Sequence, residues 1–185
     1  MTATASPLAN PAPLGLFGFG MTTILLNLHN AGLYGLSPTI MAMGIFVGGI
    51  AQIIAGSLEY KKGNTFGTTA FIAYGAFWLS LVCIWMAPKL GMEAVDPLSM
   101  GFYLAIWGVM TSAMFIGTLK GSTIGKLVFG SLSILFFLLA LANFTGSHLI
   151  HTIAGVEGLL CGAFAVYEAS ALVINEKHGR AVLPL

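Results

Sequence analysis

The chain has 185 residues, of which 57% are hydrophobic and only 7% charged, against roughly a quarter charged in ordinary soluble domains. Seven Lys plus Arg and six Asp plus Glu give a formal net charge of +1 at pH 7, so no basic face invites nucleic acid and no acidic face a cationic partner. A mean hydropathy of +0.94, sustained by apolar runs along the whole length, excludes a soluble globular fold and predicts an all-α integral membrane protein.

Residues 1–13 carry no basic stretch ahead of a short apolar core, so they read as a retained cytoplasmic N-terminal segment and not as a cleaved signal peptide. Six stretches then reach the roughly 20 residues that a helix needs to cross a bilayer. They run from Leu14 to Leu33, Thr39 to Tyr60, Thr65 to Met86, Leu98 to Leu119, Lys126 to Phe144 and His148 to Ile174. Pro11 and Pro13 precede the first and Ser37-Pro38 opens the second. Asp96-Pro97 supplies an N-cap and a first-turn proline for the fourth. The sixth is long enough to be tilted or to begin in the interface. The transmembrane domain is thus residues 14–174, followed by a cytoplasmic tail over 175–185. Cys83 and Cys161 each lie inside an apolar run, where a thiol acts as a small hydrophobe.

Lys61, Lys62, Lys120, Lys126, Lys177 and Arg180 fall on the side of the two termini, and only Lys89 on the other. That asymmetry predicts cytoplasmic N- and C-termini by the positive-inside rule. The lysine pairs 61/62 and 120/126 serve either as topology anchors or as an anion-attracting mouth. Gly44 and Gly48, and Gly158 and Gly162, have the spacing that lets helix backbones approach closely, as do Gly15, Gly18 and Gly20 in the first span. Such glycine usage predicts a tightly packed bundle or an oligomer.

No GxSxG, HExxH or phosphate-binding glycine loop occurs, so the sequence predicts a protein that is not an enzyme and needs neither cofactor nor metal. His148 and His151 lack further ligands and read as interfacial or pore polar groups. Polar residues inside the spans carry more information, because they face a cavity or one another. They are Asn27, His29 and Asn30 in the first span, Gln52 in the second, Tyr74 in the third and Glu157 in the sixth. Glu157 either carries a coupled proton or is neutral and hydrogen-bonded between helices; Glu168 reads as a snorkelling or loop-facing acid.

The segment Asn10-Pro11-Ala12-Pro13-Leu14-Gly15-Leu16, continuing to Asn27-Leu28-His29-Asn30, resembles the signature of the acetate uptake transporter family. Its bacterial members are succinate-acetate permeases. Met41 to Phe46, Gly48 to Ile53, Leu58 to Gly67 and Gly117 to Gly121 match as well. The resemblance implies a six-helix protomer, a homohexamer with a pore in each protomer, and passage of acetate and in some members succinate, proton-coupled or channel-like, across the cell membrane. It implies a constriction of Phe19, Tyr74 and Leu132, a polar position near the pore at Gln52, and a small residue influencing substrate choice at Ala165. Glu157 falls on no motif of the family.

The first, third and fifth spans start on the same side, and their three constriction residues lie roughly 8 to 14 Å along them at 1.5 Å per residue. They can therefore meet at one depth, as a gate or as ordinary core packing. A gate of this kind predicts that a bound carboxylate is hydrogen-bonded by the Tyr74 hydroxyl or the Gln52 amide. Asn27 is a further candidate contact. The competing functions are a channel for another small solute, such as water, ammonia or formate, and a membrane scaffold that transports nothing.

Overall fold

A computed structural model describes residues 8–185; residues 1–7 of the expected N-terminal segment lie outside the described residues. Helix α1 spans Ala12–Asn30, with prolines at its start where a missing N–H costs nothing. The second span comprises α2 (Pro38–Met43), a π-helical stretch (Gly44–Ala51) and α3 (Gln52–Lys61). Then follow α4 (Thr65–Met86), which runs into a 3₁₀ turn (Ala87–Leu90), and α5 (Pro97–Thr118), α6 (Thr123–Thr145) and α7 (His148–His178). Among the described residues six helical spans are long and apolar enough to cross a membrane, so the six expected spans are present. At 1.5 Å per residue α7 is about 46 Å long, which exceeds the roughly 30 Å hydrocarbon thickness.

Side chains cap the helices where the sequence offers them. Asp96 Oδ1 accepts from Ser99 N (2.9 Å), Asn64 Oδ1 from Gly67 N (3.0 Å), and Ser122 Oγ from Gly125 N (2.9 Å). Gly146, at φ 66°, ends α6 in the left-handed conformation that glycine adopts freely, and Ser147 caps α7 immediately afterwards. The turn is so short that α6 and α7 run antiparallel and packed together.

Glycines set the helix contacts. A Cβ at Gly20 would lie 2.8 Å from the Gly162 carbonyl oxygen, and one at Gly162 the same distance from the Gly20 oxygen, so α1 and α7 touch backbone to backbone. Gly158 gives its space to the Asn27 side chain, and Gly44 and Gly48 receive Val82 and Trp78 of α4. The glycine spacing read from the sequence is therefore used within the chain. The outward surface is apolar: Phe46, Ile106 and Leu149 are each more than 60% exposed, as suits contact with lipid.

The second span departs from the uninterrupted helix expected over Thr39 to Tyr60. Gly44, Gly48 and Gly49 leave its backbone bare on the side facing α4, and the wider π turn lets that backbone close onto Trp78 and Leu79. The stretch ends at Gln52, a position that bears on the site below.

Candidate functional site

An even number of spans brings Ala12 and His178 to the same end of the bundle, here called the terminal face. From this face a cavity of about 270 Å³ runs into the bundle, with walls from α1, α3, α4, α5, α6 and α7 and the loops after α3 and α5. A smaller cavity of about 30 Å³ continues towards the opposite face. Phe19 and Leu132 line both, and so form the partition between them. Tyr74 lines the larger cavity with its ring centroid 6.0 Å from that of Phe19. The structure thus brings together the three residues that the sequence places at one depth. Each is buried; Phe129, also in the wall of the larger cavity, and Trp107, outside it, pack against Tyr74 with centroids at 6.1 and 6.3 Å.

The Tyr74 hydroxyl, one of the two carboxylate donors expected from the sequence, is engaged within the fold. It donates to Thr111 Oγ1 of α5 (3.0 Å), and Thr111 in turn donates to the Trp107 carbonyl (2.7 Å). The ring, and not the proton, faces the path. Gln52 is fully buried, lines the larger cavity and donates from Nε2 to the Gly48 oxygen (2.6 Å) inside the π stretch. Its Oε1 has no hydrogen-bond partner among the described residues. The amide therefore keeps an acceptor and a second N–H for a solute.

Asn27 lies on the other side of the partition, in the wall of the smaller cavity. It donates to the Thr23 carbonyl (2.9 Å) and accepts from Asn30 Nδ2 (3.0 Å). In the same wall Thr23 Oγ1 and Trp78 Nε1 are buried without partners among the described residues. At the far face His151 Nδ1 bonds to the Asn30 oxygen (3.2 Å) and His29 Nδ1 to the Tyr34 oxygen (2.8 Å).

Two expected site residues stand apart from both cavities. Ala165 is fully buried in the core of α7 and is in neither wall. Glu157 is in neither wall either, and its Oε2 is buried with no partner among the described residues, so the expected interhelical hydrogen bond is not seen from that atom. Glu168 differs from expectation in the opposite sense: it lines the larger cavity, with Oε1 accepting from Ser122 Oγ (2.9 Å).

The motif Asn10-Pro11-Ala12-Pro13-Leu14-Gly15 fastens the terminal face. Asn10 Oδ1 accepts from Ala12 N (3.2 Å) and from Lys62 Nζ (3.3 Å). Lys62 also approaches Glu59 (3.9 Å), whose Oε2 accepts from Asn64 Nδ2 (2.6 Å). Gly15 leaves room for the Phe71 ring on the cavity wall. Thr111, Glu59, Asn64 and Glu168 were not singled out as site residues by sequence reasoning. Glu59 and Asn64 lie inside the matching stretch from Leu58 to Gly67, but nothing in the sequence announces which helix Thr111 supports.

A family model described as the GPR1/FUN34/yaaH family matches residues 1–184. The succinate-acetate/proton symporter SatP of Escherichia coli (strain K12) is 60% identical over 179 residues, which cover 96% of this chain and 95% of that protein. An uncharacterized protein of Methanothermobacter thermautotrophicus is 54% identical over 184 residues, covering 95% of this chain and 90% of the other. The ammonia transport outward protein 2 of Saccharomyces cerevisiae is 37% identical over 179 residues, 92% of this chain and 63% of that protein. A solved structure of the bacterial acetate channel SatP superposes with a TM-score of 0.96 at 60% identity, covering 97% of this chain and 99% of that one.

Proposed function

The chain belongs to the GPR1/FUN34/yaaH family, and on that premise we propose that it passes acetate, and with it succinate or other small carboxylates, through the two cavities and the constriction between them. It is a multi-pass membrane protein of a transporter family and not an enzyme, since its relatives are named as transporters and channels. The observation that carries the transport reading is the shared wall: Phe19 and Leu132 belong to both cavities, so a solute leaving one for the other passes between their side chains.

The chemistry of acetate suits this partition. Its methyl group tolerates Phe19, Leu132 and the Tyr74 ring, while the free N–H of Gln52 on one side and Asn27 on the other offer polar atoms to the carboxylate. Binding by neutral amides is weak enough to release the ion again, which passage requires. An unpaired carboxylate is costly to dehydrate, so the apolar ring of side chains is a barrier whose height grows with solute size and charge.

The same reading places both termini in the cytoplasm, the chain in the cell membrane, and six copies in a homohexamer. The basic residues on the terminal side support the first, and the family resemblance the others. Ala165 acts on substrate choice through packing of α7, and Glu157 carries a proton or supports the fold. Uptake of radiolabelled acetate into proteoliposomes tests the function. Uptake saturated by unlabelled acetate is expected; its absence, with flux of ammonia or water instead, overturns the reading.

A further inference from the structure

Glu168 is the one carboxylate in the wall of the larger cavity, and the constriction mechanism makes no use of it. Ser122, which caps α6, holds its Oε1 at 2.9 Å and thereby fixes the carboxyl group over the first turn of that helix. No cation neutralises it: among the described residues the sole ion pair is Lys62 with Glu59.

The elements packed on α7 bring no compensating charge to the wall. α1 contributes only apolar residues there, and α6 contributes no titratable one, Lys126 lying outside the wall. From α4 comes Tyr74, whose proton is held by Thr111, and from the loop before α4 the neutral Asn64. Beyond the partition, the smaller cavity has no titratable residue in its wall.

We propose that Glu168 is a charge filter on the terminal side of the constriction: ionised, it opposes anions in proportion to their charge, and its protonation lifts that opposition. The inference rests on the reading of this cavity as a carboxylate path. Coulomb energy scales with the product of the charges, so a succinate dianion meets twice the opposition that acetate meets at the same distance. Inside a mostly apolar chamber salt does little to screen it. Glu168 is thereby a specificity-determining residue that favours monocarboxylates, and it adds a pH dependence distinct from the titration of the substrate.

The test compares acetate and succinate flux in proteoliposomes for the parent, Glu168→Gln and Glu168→Asp. Gln keeps an oxygen for Ser122 but no charge. Its succinate-to-acetate rate ratio should exceed the parent's by about 10-fold at pH ~8. The variant-to-parent quotient should fall towards one as pH drops below ~5, where the parent's carboxyl and the second carboxyl of succinate both gain protons. Glu168→Asp should retain the parent's ratio. A parent that transports acetate while Glu168→Gln shows the parent's ratio, or a difference that pH does not change, overturns the filter. A parent with no acetate flux overturns the transport reading instead. Should Glu168→Gln fail to fold, Glu168→Leu, equally neutral, is read by the same quotient.

Discussion

Tyr74 presents its ring to the path and its hydroxyl to the fold, and the two roles separate by mutation. Tyr74→Phe keeps the ring and removes a buried hydrogen bond to Thr111. It should leave acetate flux within about twofold of the parent and lower stability by about 1 kcal/mol, read by proteoliposome uptake and a thermal melt. A flux loss of an order of magnitude would show that the hydroxyl reaches the solute. Leu132→Ala and Phe19→Ala thin the partition itself. Both should raise the rate for longer monocarboxylates relative to acetate, by about 10-fold, since one or two methylenes discriminate on that scale. Unchanged ratios in folded, active variants would make these two residues ordinary packing. Phe19, Tyr74 and Leu132 were legible through the family resemblance; their similar depth on three helices that start on one side is compatible with a meeting but does not single them out. Glu168 was not, because its direction around the helix decides between loop and cavity, and an acid near a helix end suits either.

At the scale of the helix, glycines decide how closely elements approach. Gly162→Val would push a side chain into Ile24 and the Gly20 carbonyl, and a backbone atom cannot yield as a flexible side chain does. It should destabilise the protein by roughly 1–3 kcal/mol or prevent folding, whereas Gly35→Ala, with open space around it, should be silent in the same thermal assay. The small-xxx-small spacing was visible in the sequence; which partner each glycine accepts was not, since that depends on helix order. The π stretch escaped notice for a related reason. Its apolar composition fits an ordinary helix, and only the approach of Trp78 favours the wider turn. The start of α5 was readable, by contrast, from Asp96-Pro97. Hydrogen bonds from the Ser99 hydroxyl and backbone N–H hold the Asp96 carboxyl below the usual carboxylate range. A depressed folded value gives stability that is present above the unfolded value and lost as pH falls through the folded one. Asp96→Ala should remove that acid-side dependence in a pH series of melts.

For the whole molecule, composition and bilayer thickness together made the six spans legible, with ends shifted by only a few residues. Thr65 to Met86 coincides with α4, and the sixth span runs on to His178. Sidedness remains a matter for labelling: a cysteine introduced beside Lys89 should react with an impermeant reagent from outside intact cells, and one beside Lys61 should not. The opposite pattern would invert the topology. Native mass spectrometry of detergent-purified protein should give a hexamer, and monomer alone would refute that assembly.

The chain contains three tryptophans, and two of them stand beside the path. The Trp78 indole N–H lies in the wall of the smaller cavity with no partner among the described residues, and Trp107 packs 6.3 Å from Tyr74 behind the larger one. The protein thus carries its own optical gauges, one for each chamber. Removing the third indole by Trp85→Phe leaves emission from these two alone. Acetate titrated into such a variant should change the emission maximum or intensity saturably, and Trp78→Phe or Trp107→Phe would then report which chamber fills first.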